Sequence, residues 1–300
     1  MTTHTRPRRS APLALLAACA LTATGCAGAA VNDGRAELPA VGTPSSAAAA
    51  GAGAAGRQSP AASGAASSAG TASSAGAAAA DSPAGKTVVI DPGHDGGNAA
   101  HASEVAKLVP MGFGQYKACD NTGTNADDGY PEHAFNYTVS LLVQQLLEQR
   151  GVKVILTRTD DTGVGPCVNV RAAIGNDAHA DAAISIHGDG FSASGHGFQI
   201  IRAAKSEGGA ANDAASYTLS QALQGTFLSE SGLTPATYIG TDGYESRSDL
   251  AGLNLSTVPK VLVECGNMKN PGDVALMESA AGRARIARAI ADGLIAYLSR

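Results

Sequence analysis

The fold expected from the sequence is α/β: a single domain with a twisted, mostly parallel mixed sheet flanked by helices on both faces. Three observations predict it. Short apolar, largely β-branched runs at 87–90, 152–156, 182–186, 198–201 and 260–263 have strand length and read as buried on both faces. Helical patterns separate most of them, which is how parallel strands are connected. The segment that carries them, residues 86–300, has the length of one moderate-sized core.

The chain opens with Arg6, Arg8 and Arg9, an apolar run over 11–23 and small residues up to Cys26. This pattern predicts an export signal over 1–26, with an apolar run too short to span a bilayer. Its end, Ala23-Thr24-Gly25-Cys26, resembles a bacterial lipoprotein signal in which the Cys is acylated. Ala23 stands where Leu is usual, so lipid anchoring at Cys26 and plain secretion are both open. Either way the expected location is exported: periplasm or cell envelope, or secreted. Residues 27–85 read as a disordered tether, since all but four positions in 41–85 are Ala, Gly, Ser, Thr or Pro. Such a stretch has too little apolar surface to offset the entropy of ordering.

Composition narrows the partners. Removing the five basic and three acidic residues before Lys86 leaves 16 against 23, a net charge of −7, with no Lys/Arg cluster. A nucleic-acid partner is therefore not expected. Tryptophan is absent and aromatics are few, which counts against a stacking platform or an aromatic carbohydrate-binding face. A monomer is expected, with membrane contact only through an N-terminal anchor. Of the five cysteines, Cys19 and Cys26 belong to the signal, leaving Cys119, Cys167 and Cys265 in an oxidising compartment. Cys119 and Cys167 lie in Gly/Asp/Thr-rich loops and Cys265 ends an apolar run, so Cys119–Cys167 is the expected disulfide, two free loop thiols being the alternative.

The first strand, 87–90, runs into the turn Asp91-Pro92-Gly93-His94-Asp95-Gly96-Gly97. The clearest helix follows Pro131, with Phe135, Val139, Leu142, Val143, Leu146 and Leu147 on one face and Gly151 as its stop. Weaker helical patterns cover 168–178, 213–229 and 274–298. His94 follows the first strand, His187 follows 182–186, and Glu264 follows 260–263, so all three are expected on the sheet edge where strand C-termini gather. Glu132 starts the long helix and joins them if helices begin on that edge. Two His and two Glu suit a metal centre with three protein ligands and one free carboxylate. Imidazole and carboxylate ligands hold zinc while leaving a position for water, whose pKa falls toward about 7. A carboxylate beside it can move the proton to a leaving amine. The glycines of 91–97 lack the Lys-Ser/Thr of a P-loop, and no Gly-x-Ser-x-Gly elbow occurs.

The segments Val89-Ile90-Asp91-Pro92-Gly93-His94, Glu132-His133-Ala134-Phe135-Asn136, Arg171 with Asn176, Asp181-Ala182-Ala183-Ile184-Ser185-Ile186-His187, and Pro259-Lys260-Val261-Leu262-Val263-Glu264-Cys265-Gly266 with Asn270 together resemble the zinc-dependent N-acetylmuramoyl-L-alanine amidases of the AmiC/CwlV type. The resemblance spans 86–300. It implies one zinc held by His94, Glu132 and His187, with Glu264 as the catalytic carboxylate. The implied substrate is peptidoglycan or a muropeptide, cut between the lactyl group of N-acetylmuramic acid and L-Ala. Two departures stand out. The connection 98–130 is longer and more irregular than usual, which makes Asp127 and Asp128 rivals to Glu132, and Cys265-Gly266-Asn267 replaces the usual residues after the catalytic Glu. Strand alternation turns Cys265 away from Glu264, so a buried inert thiol is expected there. The other classes considered are a catalytically silent wall-binding or activator domain and a zinc peptidase acting on the stem peptide.

Overall fold

The computed structural model describes residues 82–300; the export signal, Cys26 and the stretch through 81 lie outside the described residues. In chain order the elements are β1 (Thr87–Pro92), α1 (Ala102–Val105), β2 (Leu108–Gly112), β3 (Gln115–Ala118), α2 (Glu132–Glu148), β4 (Lys153–Leu156), α3 (Val168–Asp177), β5 (Ala182–Asp189), β6 (Gln199–Ala203), α4 (Gly209–Thr226), β7 (Tyr244–Arg247), α5 (Ala251–Asn254), β8 (Lys260–Asn267), α6 (Pro271–Glu278) and α7 (Ala280–Leu298).

Six strands form one sheet in the order β4-β1-β5-β8-β6-β7. β1 runs parallel to β4 and β5, and β5 parallel to β8; β6 is antiparallel to β8 and carries β7 parallel to itself. The period-2 alternation of each strand sorts its side chains onto two faces. Val88, Ile90, Ile184, Ile186, Val261 and Val263 point into the larger core with Phe135, Val139 and Val143 of α2, Leu219 and Leu223 of α4, and Ile286 and Ile290 of α7. Val89 and Ala183 meet Ile174 of α3, while Ile201 and Leu262 meet Leu253 of α5 on the other face. Full burial of each large side chain here contributes about 1.5–3 kcal/mol. Helices thus cover both faces, as the strand composition predicts.

The structure departs from the sequence expectation in four places. β5 and β8 continue beyond their apolar runs, through His187 to Asp189 and through Glu264 to Asn267. His187 and Glu264 therefore stand within strands, as ladder partners, rather than after them. The region 98–130 contains the β2–β3 hairpin, whose turn is made by Gly112, Phe113 and Gly114, all at positive φ (92°, 54° and 74°). β7 reads Tyr-Glu-Ser-Arg, without an apolar run, because it is an edge strand paired on one side only. The pattern expected as one helix over 274–298 is two, broken at extended Ser279, whose Oγ accepts the Gly282 N–H at 3.0 Å and starts α7. A side chain at 282 would meet the Leu276 carbonyl, which is why glycine follows the break.

Cys119 and Cys167 form the expected disulfide, tying the end of the hairpin to the start of α3, and the Val168 N–H donates to the Cys119 carbonyl at 2.9 Å beside it. Cys265 is free and fully buried in the larger core, with its thiol pKa pushed well above the usual range by burial and then by the Glu264 charge. Closing a loop 48 residues long stabilises by about 4 kcal/mol in the chain-entropy description. Reduction is expected to lower the melting temperature of the domain by roughly 10 °C. An unchanged melting temperature after complete reduction, verified by thiol alkylation, would rule this contribution out.

Candidate metal centre

The centre begins with a buried ionic knot at the end of β1. Asp91, 4% exposed, receives Thr157 Oγ1 at 2.7 Å, Arg171 Nη1 at 3.0 Å, Ser185 Oγ at 3.1 Å and Lys260 Nζ at 3.2 Å. Burial opposes its charge, but Lys260, Arg171 and the hydrogen bonds outweigh that and hold the carboxyl far below the usual range. Arg171 directs its other donors to the Pro92, His94 and Pro166 carbonyls, at 2.7, 3.1 and 2.7 Å, and to Asp120 Oδ2 at 3.3 Å. The turn after β1 is thereby held with His94 at φ +58°, a conformation costly for a non-glycine residue. Gly93 lies against the His187 ring, where a Cβ would come within 2.1 Å of a ring carbon, so only glycine allows the two segments to meet.

Both imidazoles are oriented from behind. His94 Nδ1 lies 3.0 Å from Asp120 Oδ1 and 3.1 Å from the Asn121 carbonyl, which assigns the proton to Nδ1 and turns Nε2 toward Glu132 Oε1 at 3.3 Å. His187 Nε2 lies 3.1 Å from Ser185 Oγ, leaving Nδ1 2.9 Å from the same Glu132 oxygen. The rings meet edge to face with centroids 5.0 Å apart. Glu132 is the first residue of α2, where the helix N-terminus favours negative charge. Its Oε2 accepts the Thr124 N–H at 2.9 Å, and its Oε1 accepts Asn136 Nδ2 at 3.2 Å.

His94, Glu132 and His187 thus offer one ligand atom each, all within 4.8 Å of one another. Three donors aimed at one point, two imidazole nitrogens and a carboxylate oxygen, fit a divalent cation of the zinc type. The charges respond to each other strongly. Burial opposes ionisation of Glu132, yet His94 and His187 hold its carboxyl well below the usual range. Burial likewise opposes charge on His94, but Glu132 and Asp120 raise it to about 10.

Glu264 stands beside this group as the ladder partner of His187, on the same sheet face. Its Oε2 is buried without a hydrogen-bond partner among the described residues. Burial pushes its pKa well above the usual range, and the Glu132 and Asp189 charges push the same way. A cavity of about 250 Å³ opens in front, lined by His94, His187 and Glu264 together with Lys117, Arg171 and Leu250.

The rivals and remaining histidines lie elsewhere. Asp127 is exposed and paired with Lys269 at 3.1 Å, and Asp128 accepts the Tyr130 N–H. His133 turns to Asp161 at 2.8 Å. His101 and His196 bond the Gly97 carbonyl and Thr234. Asp120 was not legible as a site residue; its one sequence signal is that it follows Cys119, the half-cystine that pins its position.

A family model described as N-acetylmuramoyl-L-alanine amidase matches residues 88–296. The chain belongs to the N-acetylmuramoyl-L-alanine amidase family. It is 43% identical over 216 residues to N-acetylmuramoyl-L-alanine amidase Rv3717 of Mycobacterium tuberculosis, a match covering 72% of this chain and 88% of that protein. The solved structure of the N-acetylmuramyl-L-alanine amidase Ami1 from Mycobacterium abscessus is 47% identical with TM-score 0.69, covering 72% of this chain and 100% of that one. Ami1 from Mycobacterium smegmatis is 42% identical with the same TM-score of 0.69, covering 73% and 99%. Family membership makes the chain an amidase of the cell-wall hydrolase class.

Asp91→Asn is expected to destabilise the fold by about 3–5 kcal/mol in urea unfolding near neutral pH, since Lys260 would be left buried without its counter-charge and Arg171 with Asp120 alone. Because the folded-state pKa of Asp91 is depressed, its contribution is complete above the unfolded value of about 4 and declines as pH falls below it. The deficit of the variant should therefore shrink between about pH 5 and 2. A deficit independent of pH would contradict the ionic role.

Proposed function

We propose that residues 86–300 form a monomeric, zinc-dependent amidase that cleaves the amide between N-acetylmuramic acid and L-alanine in peptidoglycan or muropeptides. The observation that carries this reading is the convergence of His94, Glu132 and His187 on one point with the partnerless Glu264 carboxylate beside it. One zinc held by the three side chains would supply Lewis-acid polarisation of the lactyl amide carbonyl and a water of lowered pKa. Glu264 takes the proton of the attacking water and returns it to the departing amine of L-Ala. Burial of Glu264 serves both proton transfers, because a raised pKa makes the carboxylate basic enough to accept the proton and leaves the acid poised to give it back. Asp120 holds the His94 ring with Nε2 toward Glu132 Oε1, and Ser185 holds His187 with Nδ1 toward the same oxygen, so that all three would be free to hold the cation.

The location proposed is the cell envelope, reached by the export signal over 1–26 and kept there by acylation at Cys26, with 27–85 as the tether. Among the described residues no helix is long and apolar enough to cross a membrane. Mass spectrometry of the exported protein would separate an acylated Cys26 from plain secretion.

The purified domain is expected to hold about one zinc, and His94→Ala or His187→Ala to empty the site and abolish turnover. Full zinc content in either variant would remove that residue from the ligand set. Glu264→Ala and Glu264→Gln are expected to bind zinc normally while losing about 10² to 10⁴ in rate. Release of L-Ala-initiated peptide by either variant at near wild-type rate would overturn the proton-transfer role.

A further inference from the structure

The loop after β5 holds an exposed aromatic pair beside the metal centre. Phe191 stacks on Tyr238 with ring centroids 4.4 Å apart and planes 8° from parallel, and 47% of Phe191 remains exposed. Single exposed apolar side chains are ordinary and need no explanation. This one is held rigidly from several directions. Tyr238 donates its hydroxyl to Asp189 Oδ2 at 2.7 Å, and Gln199 Nε2 donates to the same oxygen at 2.9 Å. The Phe191 N–H donates to Asn267 Oδ1 at 3.0 Å, while Asn267 Nδ2 donates to the Ser192 and Gly195 carbonyls at 2.9 and 2.7 Å. Gly195 leaves no space in this packing: a Cβ there would stand 2.6 Å from the Tyr238 ring and 2.8 Å from the Phe191 ring. Ordering a loop around a ring that stays in water gains little for stability, so its rigidity points to a ligand.

The pair shares its supports with the reacting groups. Asp189 follows His187 on β5 by two residues, and Gln199 is the ladder partner of Glu264 across β6 and β8. The cavity lined by Lys117, Arg171 and Lys260 is lined by neither Phe191 nor Tyr238. The site therefore has two flanks of different chemistry: the cavity presents Lys117, since Arg171 and Lys260 are paired with Asp91 and Asp120, and the other flank presents an aromatic face whose charged neighbour is Asp189. The two sides of the scissile amide differ in the same way. The stem peptide carries carboxylates, whereas the muramic acid ring beyond its lactyl ether is a neutral pyranose with an apolar C–H face.

Against the expectation from composition that the chain has no aromatic carbohydrate-binding face, we propose that the exposed face of the Phe191–Tyr238 pair binds the N-acetylmuramic acid ring of the substrate, which places the stem peptide on the side of the cavity that Lys117 lines. This rests on the assignment of the reacting centre to His94, Glu132, His187 and Glu264. Phe191 is a specificity residue for the sugar and takes no part in bond cleavage.

The test compares N-acetylmuramoyl-L-Ala-D-isoglutamine with N-lactoyl-L-Ala-D-isoglutamine, which keeps the scissile amide and lacks the sugar. Phe191→Ala is expected to lower kcat/KM about tenfold on the first substrate, chiefly through KM, and to leave the second unchanged, the scale of one aromatic stacking contact. Equal losses on both substrates, or none on either, would overturn the proposal. Phe191→Trp keeps the ring and introduces the sole tryptophan of a chain that has none. Its fluorescence should shift on adding N-acetylmuramic acid-containing ligand to the double variant with Glu264→Gln, and should not respond to the lactoyl dipeptide. A silent fluorophore would also overturn the proposal. Failure of the metal assignment would read differently, as chelator-resistant turnover of both substrates by the wild-type protein.

Discussion

The buried carboxylate of Asp91 is the constraint on which the rest of the site depends. It lies at the end of β1 and binds groups from the end of β4 (Thr157), from β5 (Ser185), from β8 (Lys260) and from α3 (Arg171). Burying three charges is expensive, and an apolar replacement of similar shape would often be at least as stable. What the ionic cluster supplies is geometry. Arg171 grips the carbonyls on both sides of the turn and the Asp120 side chain, so His94 is aimed from one direction. Ser185, bonded to Asp91 and to His187 Nε2, aims the second imidazole from another.

Two glutamates within one small site are driven to opposite states. Glu132 faces both imidazoles and three backbone or amide donors, so it is held as an anion despite burial. Glu264 is buried, its Oε2 receives no donor among the described residues, and two carboxylates stand nearby, so its neutral form is favoured. Separate environments for two like groups are how a protein divides ligand and proton-transfer roles between them. The difference between the two environments depends on β5 and β8 being adjacent and parallel, which sets Glu264 next to His187, and on α2 starting at the sheet edge where both strands end.

The disulfide acts on the site through position as well as stability. It holds Cys119 to the residue before α3, and Asp120 follows directly with one oxygen on His94 and the other on Arg171. The irregular-looking segment before α2 is therefore anchored at its centre, with the β2–β3 hairpin on one side and the Glu132 helix on the other.

The sequence by itself determined the strands that are buried on both sides, the amphipathic α2 and the pairing of the two loop cysteines, and its family resemblance singled out the four residues that the structure brings together. These are legible because burial selects apolar β-branched runs, a helix packed on one face shows a 3.6-residue period, and His94, His187, Glu264 and Glu132 adjoin segments marked by those patterns. Tertiary structure alone decided the rest. β7 carries no apolar signal because an edge strand needs little, and the β2–β3 hairpin is two short, largely exposed strands without a clear apolar alternation, although Gly112 and Gly114 mark its turn. Asp120 has no motif because its role depends on a disulfide and an arginine far away in the chain. Phe191 and Tyr238 are two ordinary aromatics until β5, β6 and the connection between α4 and β7 bring their rings into contact. Local pattern records what each segment buries; which segments meet is settled only when the sheet order is made.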